Sequence, residues 1–167
     1  MSEIETGDVT ERLVGISPVY LNKFVQQKMY GIAASVQPGK FRTQRRFFSR
    51  DDVFAIALVW MLFESGLRTD PIRRVLNDIA ATKKADAKTA AKKLLDSGAD
   101  YLLIVRKPRG PRKDRRDKPE QEVRTVTESA LAATVEQKGP PASVLAIPVG
   151  QKFADVKKRL DILFPGD

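Results

Sequence analysis

Cysteine and histidine are both absent from the 167 residues of this chain. Without thiolates or imidazoles the chain cannot build a disulfide, a zinc cluster, a cysteine nucleophile or a histidine base. A small carboxylate-based enzyme remains an alternative, but the 21 Asp and Glu residues are a normal number for a solvated surface. We therefore expect no catalytic residue, no metal and no cofactor, and we expect that the chain is not an enzyme.

Long apolar segments are missing as well. The longest apolar run, residues 53–63, has eleven residues, whereas a membrane-spanning helix needs about 20. The first residues lack a basic start followed by an apolar core, so no secretory signal is expected. With 42% hydrophobic and 31% charged residues, the composition is typical of a folded protein. We expect a cytoplasmic protein without a membrane partner.

Acidic residues are missing from one long stretch of the N-terminal half. No Asp or Glu lies between Arg12 and Arg50, yet these 39 residues include eight Lys and Arg, and the whole chain has a net charge of +9. A phosphate backbone favours such a distribution because it attracts cations and repels carboxylates. An ordinary solvated face is the alternative. The stretch predicts a polyanionic partner.

A helix is predicted within this stretch, over residues 18–29. Ser17 followed by Pro18 is typical of a helix start, with the serine as cap and the proline in the first turn. The buried side is predicted from apolar residues at three- and four-residue spacing, which are Leu21, Phe24, Val25 and Met29. The outward side carries residues that can bind base edges or phosphates, which are Tyr20, Asn22, Lys23, Gln26 and Gln27, and Ser17 at the helix start is a further candidate DNA contact. Such a side suits a DNA-recognition helix, although the pattern taken alone is more typical of an ordinary amphipathic helix.

A short hairpin is predicted next. Residues 37–40 indicate a turn, and residues 41–48 mix aromatic and basic side chains in a pattern typical of β-structure. The candidate contacts of this segment are Lys40, Arg42, Thr43, Arg45 and Arg46, all suited to the phosphate backbone. Arg46 has a second interpretation as an ion-pair partner of Asp52.

Two helices are predicted after the hairpin. Ser49 is expected to cap a helix over residues 50–65, which is apolar on nearly all sides and ends at Gly66. Thr69 is expected to cap the next helix, whose buried side is formed by Ile72, Val75, Leu76 and Ile79.

Three segments of this region follow one another in a familiar order. Residues 15–21 read GISPVYL, residues 46–53 read RFFSRDDV, and residues 66–76 read GLRTDPIRRVL. They resemble, in the same order, three segments of the MerR family of bacterial transcriptional regulators. Those segments are G-V-S-x-x-T-L at the start of the recognition helix, R-x-Y-S-x-x-D-V at the wing-to-helix junction, and G-hydrophobic-x-[LT]-x-x-I-x-x-[LV]-L. The resemblance implies a winged helix-turn-helix.

The chain departs from the family at two positions of the predicted recognition helix. Asn22 stands where family members commonly carry an Arg that contacts DNA, and Lys28 stands where a glycine usually ends the helix. The classical long dimerisation helix and cysteine metal ligands are also missing. Either the DNA preference is unusual or the domain has another role.

The C-terminal part is expected to be a separate unit. Residues 80–93 are rich in Ala and Lys and predict a linker that runs into a helix ended by Gly98. Three strands are predicted at residues 101–105, 123–126 and 144–147, with a helix over 128–137 and a last helix that buries Phe153, Val156, Leu160 and Leu163. The expected fold class is α+β. A mostly helical winged helix-turn-helix domain with a short β wing (1–82) precedes a small α/β domain of about three strands (83–167).

A basic segment separates the first two of these strands. Residues 106–119 hold eight basic residues, two acidic residues and three prolines, a composition that predicts a loop. Its candidate phosphate contacts are Arg106, Lys107, Arg109, Arg112, Lys113, Arg115 and Arg116. Additional nonspecific DNA contacts and a merely solvated hairpin tip both remain open as interpretations.

Together with the resemblance to MerR-type regulators, these patterns predict a sequence-specific, DNA-binding transcriptional regulator. Its recognition helix would lie in the major groove and its basic wing on the phosphate backbone. We expect a homodimer on double-stranded DNA, whose C-terminal domain supplies dimerisation, binds a small-molecule effector or contacts a protein partner. The first alternative is a nucleic-acid-associated accessory protein for recombination, segregation or nucleoid organisation, with little sequence specificity. The enzyme alternative lacks a nucleotide-binding glycine loop.

Overall fold

The computed structural model describes residues 3–38, 44–106, 121–136 and 143–165. Within these ranges the chain is an α+β protein with two three-stranded antiparallel sheets, so the expected fold class is confirmed at this level. None of the helices in these ranges combines the length and the hydrophobicity that crossing a membrane requires.

The chain begins with a two-residue strand, β1 (Ile4–Glu5), and a short helix at Asp8–Leu13. We call Asp8–Leu13 the N-terminal short helix. It is wound as a π-helix, and the Val14 amide donates a hydrogen bond to the Val9 carbonyl oxygen at 3.1 Å. Val9, Thr10 and Leu13 are buried, so tertiary packing holds this helix in place.

The next helix, α1 (Pro18–Gln26), starts where the sequence predicts but ends earlier than residue 29. Lys28 has a left-handed backbone conformation (φ 45°), which an α-helix cannot continue, and a 3-10 turn follows at Met29–Gly31. Ser17 precedes the helix as predicted, but its side chain makes no capping hydrogen bond.

The first sheet contains β1, β2 (Ser35–Pro38) and β3 (Gln44–Phe48), in the order β1-β3-β2. The predicted hairpin has different bounds, and β2 and β3 form it. Residues 37 and 38, predicted as turn, end β2, and the aromatic and basic segment supplies only the second strand, β3. Ile4 pairs directly with Phe48, and both side chains are buried. β1 forms one edge of this sheet, beside β3.

The central helix is α2 (Arg50–Glu64), whose residues 52–59 are all buried. Its predicted cap is confirmed by a reciprocal pair of hydrogen bonds. The Asp52 amide donates to Ser49 Oγ at 3.2 Å, and the Ser49 amide donates to the Asp52 carboxylate at 3.0 Å. Gly66 follows the helix with φ 86°, as expected of a helix end.

Two further helices, α3 (Thr69–Ala80) and α4 (Ala87–Ser97), pack against α2 and against each other. The predicted cap at Thr69 is wrong, because Thr69 already lies inside α3 and Arg68 precedes it without a side-chain capping bond. The predicted end of α4 at Gly98, in a left-handed conformation (φ 61°), is confirmed.

The second sheet contains β4 (Tyr101–Arg106), β5 (Gln121–Val126) and β6 (Ser143–Ile147), in the order β5-β4-β6. The predicted three strands are confirmed, as are the two helices α5 (Glu128–Glu136) and α6 (Val149–Leu163). The inward residues of α6 are buried as expected, except Leu163, which is half-buried.

One continuous core crosses the predicted boundary between residues 82 and 83. The cluster joins buried residues of α2 and α3 to those of α4, β4 and α6. The rings of Phe54 on α2 and Phe153 on α6 meet edge to face, with centroids 5.6 Å apart. The division into domains 1–82 and 83–167 stays a prediction, and the two parts share their apolar interior.

Replacing Gly31 by Ala is expected to destabilise the fold more than the same change at Gly66. Both glycines have positive φ, 75° and 86°, so a Cβ costs about 1–2 kcal/mol at either position. At Gly31 the Cβ would also lie 2.6 Å from Asp86 Cβ, an overlap that adds about 1–3 kcal/mol.

Urea unfolding of the two variants checks this difference. At Gly66 a Cβ would meet no atom of the described residues within 4 Å, so this variant measures the backbone strain alone. Equal losses of unfolding free energy in both variants would contradict the close approach of Gly31 to Asp86.

Candidate nucleic-acid interface

One side of α1 is exposed and carries no acidic residue. Val19, Asn22, Lys23 and Gln26 lie three, four and seven positions apart, so they share one side of the helix, and all four are exposed. Val19 is 75% exposed, although it is apolar. Sequence reasoning missed Val19, because it belongs to neither the apolar stripe nor the polar set, but its helical phase matches the other three residues. Gln27 is exposed just beyond the helix end.

The opposite side of α1 packs against α2. Leu21 and Phe24 are buried as predicted, whereas Val25 and Met29 are only half-buried. The prediction that Tyr20 points outward is wrong. Its ring is half-buried against Trp60 and Phe63, with centroid distances of 5.4 and 4.9 Å. Tyr20 therefore anchors α1 to α2.

The two neighbouring arginines of β3 lie on opposite faces of the first sheet, because successive side chains of a strand alternate. Arg46 shares its face with the buried Phe48, and Arg45 shares its face with Glu5 of β1. The sequence predicts the same role for both arginines, as phosphate contacts, but in the sheet they have different neighbours.

Arg46 is joined to the exposed side of α1. Its guanidinium donates a hydrogen bond to Asn22 Oδ1, which connects the hairpin to the helix. The interpretation of Arg46 as a partner of Asp52 is wrong, because Asp52 Oδ1 lies 2.7 Å from Lys88 Nζ in α4. That contact is an ion pair without hydrogen-bond alignment, and the other carboxylate oxygen serves the helix cap. Arg46 is therefore available to the candidate interface.

Arg45 is paired with an acid from outside the acid-free stretch. Its Nη1 lies 3.1 Å from Glu5 Oε1, and the two side chains are 56% and 53% exposed. Gln37 Nε2 on β2 similarly donates to the Glu3 carboxylate at 2.7 Å. The stretch between Arg12 and Arg50 is free of acids in the sequence, but β1 and the residue before it bring Glu5 and Glu3 to the same surface. Sequence reasoning missed them because a two-residue strand has no local signal.

A cleft of about 330 Å³ lies where these elements meet. Its lining residues come from the segment just before the N-terminal short helix, from α1 and from the first sheet, and they are Glu5, Thr6, Gly7, Asn22, Arg45 and Arg46. Two guanidinium groups and one carboxylate in an open cleft favour an anionic or hydrogen-bonding partner.

The remaining predicted contacts are only partly described. Ser17 is half-buried before α1, and Arg106 is exposed at the end of β4 in the second sheet. Outside the described residues lie Lys40, Arg42, Thr43, Lys107, Arg109, Arg112, Lys113, Arg115 and Arg116.

The interpretation of this surface depends on the chain's own residues, because no protein-family model and no curated protein matches the chain. The resemblance to MerR-type regulators remains a prediction based on the three sequence segments.

Tyr30 joins the end of α1 to α3. It is buried in a left-handed conformation (φ 56°), its ring meets Phe24 edge to face, and its hydroxyl donates to the Thr69 carbonyl oxygen at 3.4 Å. Burial raises the pKa of Tyr30 above its usual value. The folded protein therefore holds the phenol proton more tightly than the unfolded chain.

Replacing Tyr30 by Phe is expected to remove a pH-dependent part of the stability. Because the folded pKa is raised, the contribution of the neutral phenol is complete below the unfolded pKa of about 10 and is lost as the pH rises through the folded value. The unfolding free energy of the wild type relative to Tyr30→Phe should thus decline above about pH 10, by at most about 1.4 kcal/mol per pH unit. Urea unfolding of both proteins between about pH 7 and pH 11 measures it. A constant difference over that range would contradict the buried phenol.

Proposed function

We propose that this chain is a sequence-specific, DNA-binding transcriptional regulator of the MerR type. In this proposal the N-terminal short helix and α1 form a helix-turn-helix, α1 enters the major groove, and β2 and β3 form the wing. The observation that carries the proposal is the exposed, acid-free side of α1, which stands beside Arg46 of β3 and is bonded to it through Asn22. Major-groove recognition needs such donors and acceptors on one helical side.

The four residues on this side suit different parts of a duplex. Gln26 can form two hydrogen bonds to an adenine edge, and Lys23 can reach guanine or a phosphate. Val19 lies in the first turn of α1, where an exposed apolar side chain can contact a thymine methyl group. Base reading and phosphate binding are thus available from one helix.

Lys28 gives the family resemblance further support. It has a left-handed backbone conformation (φ 45°), the one that glycine adopts most readily, at the position where MerR-type regulators usually carry glycine. The sequence difference at this position is therefore compatible with the same helix end.

Selection from random duplexes, followed by affinity measurements on the selected and on random duplexes, tests the proposal. Recovery of an inverted repeat would support both a regulator and the expected homodimer. Binding without an enriched sequence would favour the accessory-protein alternative, and no binding to any duplex at low salt would refute the proposal.

Gln26→Ala is expected to weaken binding to the selected duplex by about 1–3 kcal/mol and to leave random-duplex binding nearly unchanged. Val19→Ala should cost the selected duplex about 1 kcal/mol, if it contacts a thymine methyl. Val135→Ala is the matched control for Val19→Ala, because Val135 is also an exposed valine (39%) but lies on a different helix, α5. Fluorescence anisotropy of labelled duplexes gives the affinities. Unchanged discrimination in folded Gln26→Ala and Val19→Ala would mean that α1 does not read bases.

Glu5→Gln is expected to strengthen binding to selected and random duplexes alike. The change removes a carboxylate from the cleft and releases Arg45 from its ion pair, so one more cation can neutralise a phosphate. The slope of log affinity against log salt should increase by about one unit.

Asp96→Asn is the control for Glu5→Gln. Asp96 is exposed on α4, so its substitution removes the same charge at a different place. An increase of equal size in both variants would reflect net charge alone. Weaker binding by Glu5→Gln would contradict the placement of this face against DNA.

A further inference from the structure

Cations of α6 bind the last carbonyl groups of the N-terminal short helix. Arg159 Nη1 donates to the Arg12 carbonyl oxygen at 3.2 Å and to the Leu13 carbonyl oxygen at 3.4 Å. Lys152 Nζ donates to the Val14 carbonyl oxygen at 3.1 Å. The final carbonyls of a helix lack partners within it and carry the negative end of its dipole. Two cations therefore satisfy three consecutive carbonyls there.

Lys152 and Arg159 lie on one side of a helix that is held by the core. Lys152 and Arg159 are seven positions apart on α6, which is about two helical turns, so they lie on the same side. The inward side of α6 is held by four buried residues, Val149, Phe153, Val156 and Leu160. Asp161, near the end of α6, forms an ion pair with Arg50 at the start of α2. The helix that supplies the donors is thus fixed to the core.

The short helix, in contrast, has little stability of its own. It has six residues, fewer than an isolated helix needs, and its end leads to α1 through residues 15–17 alone. In this connection Gly15 has φ 78° and Ile16 is buried. The position of Val14 consequently restricts where α1 begins, and together with the packing of Tyr20 on α2 it restricts how α1 is oriented.

We propose that Lys152 and Arg159 are positioning residues for α1. By holding the end of the N-terminal short helix, they fix the orientation in which α1 is presented to its ligand. The consequence for DNA discrimination rests on the proposed function, whereas the ordering of residues 8–26 by α6 does not.

Hydrogen exchange, measured by mass spectrometry on the DNA-free protein, tests the ordering. The variant is Lys152→Met/Arg159→Met, and the control is Lys157→Met/Lys158→Met. Lys157 and Lys158 are exposed on the same helix and make no hydrogen bond or ion pair within the described residues. We expect exchange in residues 8–26 to rise by about tenfold or more relative to the control, with α2 and α3 unchanged within about twofold.

Exchange equal to that of the control would overturn the proposal, as would a uniform increase across α2 and α3. If the double variant does not fold, Lys152→Met alone takes its place, since it leaves both Arg159 bonds intact. Lys152→Arg keeps a donor at this position and is expected to restore the protection that Lys152→Met loses.

The affinity ratio between the selected and random duplexes tests the consequence for DNA. Losing α1 orientation should lower this ratio by about tenfold relative to the control, the size of one impaired base contact. Random-duplex affinity and the salt slope should match those of the control. A lower salt slope than the control's would overturn the proposal, because it would show direct phosphate contacts. If the wild type binds no duplex, the proposed function fails, and the exchange experiment alone decides the positioning role.

Discussion

The fold depends on the burial of α2. From Asp52 to Val59 every residue is buried, and a helix that is apolar on nearly all sides is stable in water only if neighbours cover each side. α3, α4, α6 and β3 provide that cover. The single polar side chain in this buried run, Asp52, serves both the helix cap and the ion pair with Lys88, so its charge is compensated where it lies. The need to cover α2 brings the C-terminal elements onto the same core as the N-terminal ones.

This shared core affects the candidate interface directly. α1 rests on α2 through Tyr20, and the N-terminal short helix rests on α6 through its last carbonyls. An element that contacts nucleic acid in our proposal is thus oriented by residues more than a hundred positions away in the sequence. A shift of α6 relative to α2 would therefore move the end of the N-terminal short helix, which directly precedes α1.

The sequence predicts those features that local chemistry determines. The Ser49 cap, the all-round apolar α2, the end of α4 at Gly98 and the inward side of α6 depend on nearby residues, and the structure confirms them. β1 depends on pairing with β3 more than forty positions away, so no local pattern indicates it. Thr69 illustrates a limit of cap signatures, because α3 begins one residue earlier than the hydroxyl pattern suggests.

The exposed polar side of α1 could be predicted from the sequence. The carboxylate partner of Arg45, on the neighbouring strand β3, could not. An acid-free stretch predicts a positive surface only if the fold brings no carboxylate to it, and β1 brings Glu5 to Arg45. The pair is exposed, so it contributes little to stability, at most about 1 kcal/mol, and can open when a stronger anion approaches.

Arg46 differs from Arg45, because its partner is the neutral amide of Asn22, which holds the guanidinium without cancelling its charge. Ordering a flexible side chain on binding costs about 0.5–1.5 kcal/mol, and a guanidinium already held beside α1 has lost part of that freedom before a ligand arrives. In the proposed MerR-type arrangement, Arg46 thus provides a cation beside Asn22, the position where MerR-type regulators commonly carry an Arg. The hairpin supplies the charge, and the helix supplies the group that orients it.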